Sequence, residues 1–288
     1  MKPSTVSGRL TFKHILYATD LSFAAEKALP YAMEIAQRYG SRIYAVHAVE
    51  PEVYPLVPPT AWPTMAKQEE EFRQESRRIL EGILRPFPHE IIFRPGKVWE
   101  VLSEAIREME IDLILLSTHG RTGFDKVLVG SVAEEILRKA KCPVLTAGPG
   151  VSSGPRQNAE LKTILYATDF SSESLAGAPY AVSVAREHGA RLVLLHCLPP
   201  DGDVPTLRYA LRDIVPYGSE LKSPPECIVE HGAPAIKILE VSEECGADLI
   251  VLGVRAALGH LAANTHFSRS GTYKVVTQAK CPVLTVRG

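Results

Sequence analysis

The chain repeats itself, and the repeat restricts its fold more than any other feature. Residues 15–20 read ILYATD and residues 164–169 read ILYATD again; residues 141–146 and 280–285 both read KCPVLT. The first pair is offset by 149 residues and the second by 139. Two copies of one domain, differing by loop insertions, explain both offsets. IYAVHAV (43–49) answers LVLLHCL (192–198), which sets His47 and His196 again 149 apart, and IDLILLS (111–117) answers ADLIVLG (247–253). Each copy is about 130 residues, an ordinary domain size. The segment GPGVSSGPRQNAE (148–160) is rich in Gly, Ser and Pro and reads as a linker. The expected division is residues 10–148, a linker at 149–160, and residues 161–288.

Within each copy strands and helices alternate. HILYAT (14–19) is a short apolar run with β-branched and aromatic content, followed by Asp-Leu-Ser, and predicts a buried strand. Residues 23–39 are helix formers ended by Gly40, and Pro30 inside them predicts a kink or a late start. A strand over 42–49 follows, then a proline-rich loop at 51–63 and a charged helix over 64–85. Strand 89–94, Gly96, helix 98–109, strand 112–117, a glycine-bearing loop 118–130, helix 131–140 and strand 143–147 complete the copy. This alternation predicts an α/β fold with two repeated open parallel sheets, each covered on both faces. Ligands of such sheets sit at the carboxyl ends of the strands, at a switch point.

The loop after the fourth strand carries the candidate chemistry. Gly120 and Gly130 are separated by nine residues, and Ser131-Val132-Ala133-Glu134 has the S-x-x-E pattern of a capping box. A helix N-terminus presents free N–H groups and partial positive charge, which suits phosphate. Taken alone, Ser131 and Glu134 equally just start a helix, and Gly120 equally serves a turn. His47 and His196, set among apolar strand residues, read as satisfied core histidines, and Arg121 reads equally as a phosphate contact or an exposed loop charge.

Copy two keeps Asp169 and Gly253 but not the loop. Ala256 answers Gly120; counting back from CPVLT, Arg269 answers Gly130 and Ser270 answers Ser131. No Ser-x-x-Glu follows Ser270, so copy two is expected to be degenerate at this loop.

Composition narrows the partners. With 32 Lys+Arg against 33 Asp+Glu the formal charge is −1, and no long run of like charge occurs. That argues against nucleic acid and membrane surfaces. Five cysteines without a CxxC pair argue against a disulfide framework or zinc ribbon. No apolar stretch approaches the roughly 18 residues of a membrane span, and the N-terminal residues show no signal-peptide pattern. A cytoplasmic protein is expected. No Walker motif, GxGxxG, HExxH or GxSxG occurs, and no carboxylate pair stands out, so turnover is not supported.

Taken together, ILYATD, CPVLT and Ser117-x2-Gly120-x9-Gly130-Ser131 resemble the universal stress protein family. Its nucleotide-binding members carry G-x2-G-x9-G-[ST] after the fourth strand and an Asp after the first. Ser117 departs from that pattern at the first glycine. The resemblance spans nearly the whole chain, twice, and implies a tandem member with Rossmann-like, adenine nucleotide alpha-hydrolase-like domains. It implies an intramolecular pseudo-dimer through 143–147 and 282–286, with further homodimerisation left open. It also implies ATP, with or without Mg2+, in copy one. Asp20 would then lie at the sugar end, where a carboxylate accepts hydroxyl hydrogen bonds without facing phosphate. Ala18 and Thr19 would lie beside it, Ala48 at the adenine, and Ser117, Thr118, His119 and Gly120 along the phosphate path. Gly130, Ser131 and Val132 would hold the phosphates. The implied role is a stress-response or signalling module. A slow ATP hydrolase or phosphotransferase and a non-nucleotide interaction module are the alternatives.

Overall fold

The computed structural model describes residues 5–6, 9–49, 62–119, 129–151, 159–198, 204–255 and 271–288. A short antiparallel pair, β1 (Thr5–Val6) and β2 (Arg9–Leu10), precedes copy one. Copy one then runs β3 (His14–Ala18), α1 (Leu29–Tyr39), β4 (Arg42–Val49), α2 (Trp62–Leu84) and β5 (His89–Pro95). It closes with α3 (Val98–Glu108), β6 (Leu113–Ser117), α4 (Ser131–Lys139) and β7 (Val144–Ala147). Copy two starts with β8 (Thr163–Ala167), a single helical turn α5 (Ser172–Leu175), α6 (Ala178–His188) and β9 (Arg191–Leu198). It ends with α7 (Val204–Asp213), β10 (Glu226–His231), α8 (Pro234–Glu244), β11 (Leu249–Val254), α9 (Gly271–Gln278) and β12 (Val283–Arg287).

All ten main strands form one sheet, in the order β10-β9-β8-β11-β12-β7-β6-β3-β4-β5. Each half is parallel and has the same internal order, third-second-first-fourth-fifth. The halves meet antiparallel, with Leu284 opposite Leu145 and Val283 opposite Thr146. The expected pairing of the two terminal strands is therefore the joint of the molecule. Side chains alternate between two apolar layers: Ile15 and Tyr17 pack on one face and Leu16 on the other, as do Ile164 and Tyr166 against Leu165. Each layer contains residues of both copies, so the two apolar layers run on from one half to the other.

Local chemistry sets the helix boundaries. In copy one a 3-10 turn (Ala25–Ala28) leads into α1, whose first turn holds Pro30, the late start that proline favours. Gly40 ends α1 in the left-handed conformation, at φ 67°. The proline-rich stretch differs at its end: Trp62 and Pro63 already belong to α2, and proline is tolerated in a first helical turn, while residues 50–61 lie outside the described residues. No helix among the described residues is long and apolar enough to cross a membrane.

Candidate functional site

In each half the sheet order reverses direction between its first and fourth strands. In copy one that point lies between β3 and β6, and a cavity of about 290 Å3 opens at their carboxyl ends. Its size is near the lower end of the roughly 300–1,000 Å3 typical of small-molecule sites. Ten of the eleven expected residues line it: Ala18, Thr19, Asp20, Ala48, Ser117, Thr118, His119, Gly130, Ser131 and Val132. The other, Gly120, lies outside the described residues, as does Arg121. Val46, His47, Val98, Leu102, Leu116 and Ile136 supply apolar and aromatic wall.

The turn after β3 is built from its own side chains. Thr19 Oγ1 accepts the Leu21 N–H at 3.0 Å, and Asp20 Oδ1 accepts from Ser22 N at 3.0 Å and Ser22 Oγ at 2.6 Å. These bonds hold Leu21 at φ 63°, in the left-handed region a leucine rarely adopts. Asp20 is thus a turn residue as well as a rim carboxylate. His47 Nδ1 lies 2.9 Å from the Thr19 carbonyl. A carbonyl only accepts, so Nδ1 carries the proton. The ring pins the end of β3 to β4 and packs edge-on against Phe93 at 5.4 Å.

The opposite rim is formed by the ends of β6 and α4. Thr118 is buried, its N–H donating to Ala147 O at 3.0 Å and its Oγ1 lying 2.9 Å from His119 Nδ1. Ser117 Oγ also donates to Ala147 O, at 3.2 Å. The Gly130 N–H donates to Thr118 O at 2.8 Å.

The helix start differs from the S-x-x-E expectation. Gly130, extended at φ −60° and ψ 148°, is the N-cap, and Ser131 is already helical, with no side-chain cap. The Thr118 carbonyl fixes Gly130 in that place, one residue ahead of the serine. The N–H groups of Ser131, Val132 and Ala133 have no intrahelical acceptors, and all three residues line the cavity. Among the described residues, a Cβ on Gly130 would meet only Thr118 O, at 3.4 Å. Among the described lining residues Asp20 is the only Asp, Glu, Lys or Arg, and no group of three metal-ligating side chains occurs among the described residues.

Copy two repeats the first rim closely. Asp169 Oδ1 accepts from Ser171 N and Oγ, at 2.9 and 2.6 Å, Phe170 has φ 62°, and His196 Nδ1 lies 2.8 Å from Thr168 O. The strand-four end is different. A Cβ on Gly253 would collide with the carbonyl oxygens of Glu173 and Ser174, so main chain of α5 sits directly on that strand. A Cβ on Gly177 would be snug but less crowded, 3.1 Å from Gly253 N and from the Tyr166 ring. Copy one has Ser117 and Ala28 at these two positions.

Comparison with known proteins matches the model of the universal stress protein family to residues 11–147 and again to 160–287. The chain is similar to universal stress protein A homolog 1 of Coxiella burnetii, 32% identical over 137 residues, 46% of this chain and 94% of that protein. A universal stress protein of Thermus aquaticus is 35% identical over 138 residues, 44% of this chain and 98% of its own length. Among solved structures, a universal stress protein from Archaeoglobus fulgidus superposes with a TM-score of 0.72. The match covers 95% of this chain and 98% of that one, at 24% identity, and bears on the fold alone.

Proposed function

The chain belongs to the universal stress protein family, twice over, and we propose that copy one is an adenine-nucleotide module taking ATP in the cavity at the ends of β3, β4 and β6. Family membership supports a stress-response role. The observation that carries the nucleotide reading is the arrangement of the cavity's two rims. One rim has an uncapped helix start with three N–H donors and a glycine that leaves space above it, which suits phosphate. The other has apolar wall and a single carboxylate at the turn, which suits a base and its sugar hydroxyls. The residues present fit ATP in that orientation. Mg2+ would be carried chiefly by the phosphates, as that ion commonly is, since the described lining offers one carboxylate.

On this reading copy two takes no nucleotide, because its loop lacks the glycine spacing and the Ser-x-x-Glu of copy one. A cytoplasmic setting accords with five free cysteines, of which burial pushes Cys142 and Cys281 up to about 12, leaving inert thiols. The test is calorimetric titration of nucleotide-stripped protein with ATP, expected to give one ATP per chain. Gly130→Trp fills the phosphate space and is expected to weaken binding by about 100-fold or more, near 2.7 kcal/mol. Two ATP per chain would overturn the assignment of copy two. Unaltered affinity in Gly130→Trp would overturn the site, and no binding at millimolar ATP would favour a protein-interaction module.

A further inference from the structure

We propose that Tyr273, in copy two, is a positioning residue for the phosphate rim of copy one, an assignment that rests on the nucleotide reading above. Tyr273 lies in α9 and is 8% exposed. Its Oη accepts the N–H of Val129 at 3.1 Å, across 144 residues of sequence and from one copy to the other. Val129 directly precedes Gly130, the N-cap of α4, whose own N–H is held by Thr118 O at 2.8 Å. Two successive N–H groups are thus anchored, one to copy one's fourth strand and one to copy two. Together they fix the main chain on both sides of Val129, and with it the direction in which Ser131, Val132 and Ala133 present their N–H groups to the cavity.

The anchor is firm because α9 is seated without slack. A Cβ on Gly148 would lie 2.9 Å from Val276 O, and one on Gly150 would lie 2.8 Å from Ala279 O. The α9 main chain therefore rests against the chain just beyond β7, close to the Thr118 layer. The contact is also one-sided. Counting back from the shared CPVLT, Tyr273 answers Glu134, so copy one has no tyrosine to return. Copy two, whose own loop has diverged, completes the geometry of its neighbour's loop.

The experiment uses the full chain and Tyr273→Phe, which keeps the ring and removes the hydroxyl. Hydrogen exchange at the Val129 amide reads the bond without any ligand, and protection is expected to fall. Calorimetry then compares ATP with adenosine. ATP affinity is expected to drop about five- to tenfold while adenosine affinity holds, because the lost hydrogen bond acts at the phosphate end alone. An equal fall for both ligands, or unchanged Val129 exchange, would overturn the positioning role. So would an unaltered ATP affinity. If the unmodified chain bound neither ligand, the nucleotide reading would fail, and Val129 exchange would still decide whether Tyr273 orders the loop.

Discussion

Copy one carries Ser117 and Ala28 where copy two carries Gly253 and Gly177, and in copy two the α5 main chain leaves no room for a Cβ at Gly253. The first helical turn of copy two rests on β11; its Tyr166 Oη–Ser174 O bond, 2.8 Å, has a counterpart in Tyr17 Oη–Ala25 O, 3.0 Å, whereas the Ser174 Oγ–Thr168 Oγ1 contact, 2.8 Å, has none, since Ala25 carries no hydroxyl. In copy one the matching segment is a 3-10 turn that packs against β6, and Ala25 and Ser117 line the cavity. The turn after the first strand, by contrast, is the same in both copies, down to the left-handed Leu21 and Phe170. It belongs to the fold and does not separate a binding half from a non-binding one. The family pattern places a glycine at the strand-four end, yet here the glycine lies in the half whose main chain fills that space.

The exchange can be broken by reversing it. Gly253→Ser should force α5 off the strand and destabilise the chain by about 2–3 kcal/mol, the upper range for overpacking. A urea midpoint that does not move would refute that close contact. A gain of a second ATP per chain in the same variant would show that copy two is closed by this contact alone.

A smaller effect concerns the shared turn. Hydrogen bonds from the Ser171 and Ser174 side chains hold the Asp169 carboxyl down to about 2. A depressed carboxyl stabilises the fold above its unfolded value of roughly 4 and loses that contribution as pH falls towards 2. Asp169 is exposed, so solvent screening reduces the contribution to about 1 kcal/mol. Asp169→Asn should therefore be less stable than the parent at pH 7, with the gap closing between about pH 4 and pH 2. A gap that persists to pH 2 would point to packing, not charge.

Ser117→Gly should have the smallest effect, about 0.5–1 kcal/mol, from the freedom a glycine adds to a strand. ATP binding should survive, because the N–H groups of Ser131, Val132 and Ala133 are untouched. Loss of binding would mean that the Ser117 side chain holds the cavity open by itself.

The strand ends of the site were readable in the sequence because an open parallel sheet brings the carboxyl ends of its central strands together. Ala18–Asp20, Ala48 and Ser117–His119 therefore converge whatever their side chains. Val98 and Leu102 were not readable as cavity wall, since an apolar stripe on α3 has the same pattern whether it faces core or ligand. The helix starts at Ser131 as the sequence predicts, but its N-cap is Gly130 where the S-x-x-E pattern assumes the serine. Here a tertiary bond from Gly130 to Thr118 decides the matter. Tyr273 was hidden for a different reason. Its place opposite Glu134 is visible in the repeat, but a contact between copies has no local signature. The β1–β2 pair has no periodicity to read, being two residues on each side.

The antiparallel joint between β7 and β12 has a consequence for how such a molecule can change. In a dimer of identical subunits, every substitution enters both sides of the two-fold axis, and a contact made by one subunit is made by the other. Joining the partners in one chain removes that obligation. A tyrosine can then be placed on one side of the axis and a glutamate on the other. The covalent pair is, in effect, a dimer released from symmetry, free to divide holding and being held between its halves.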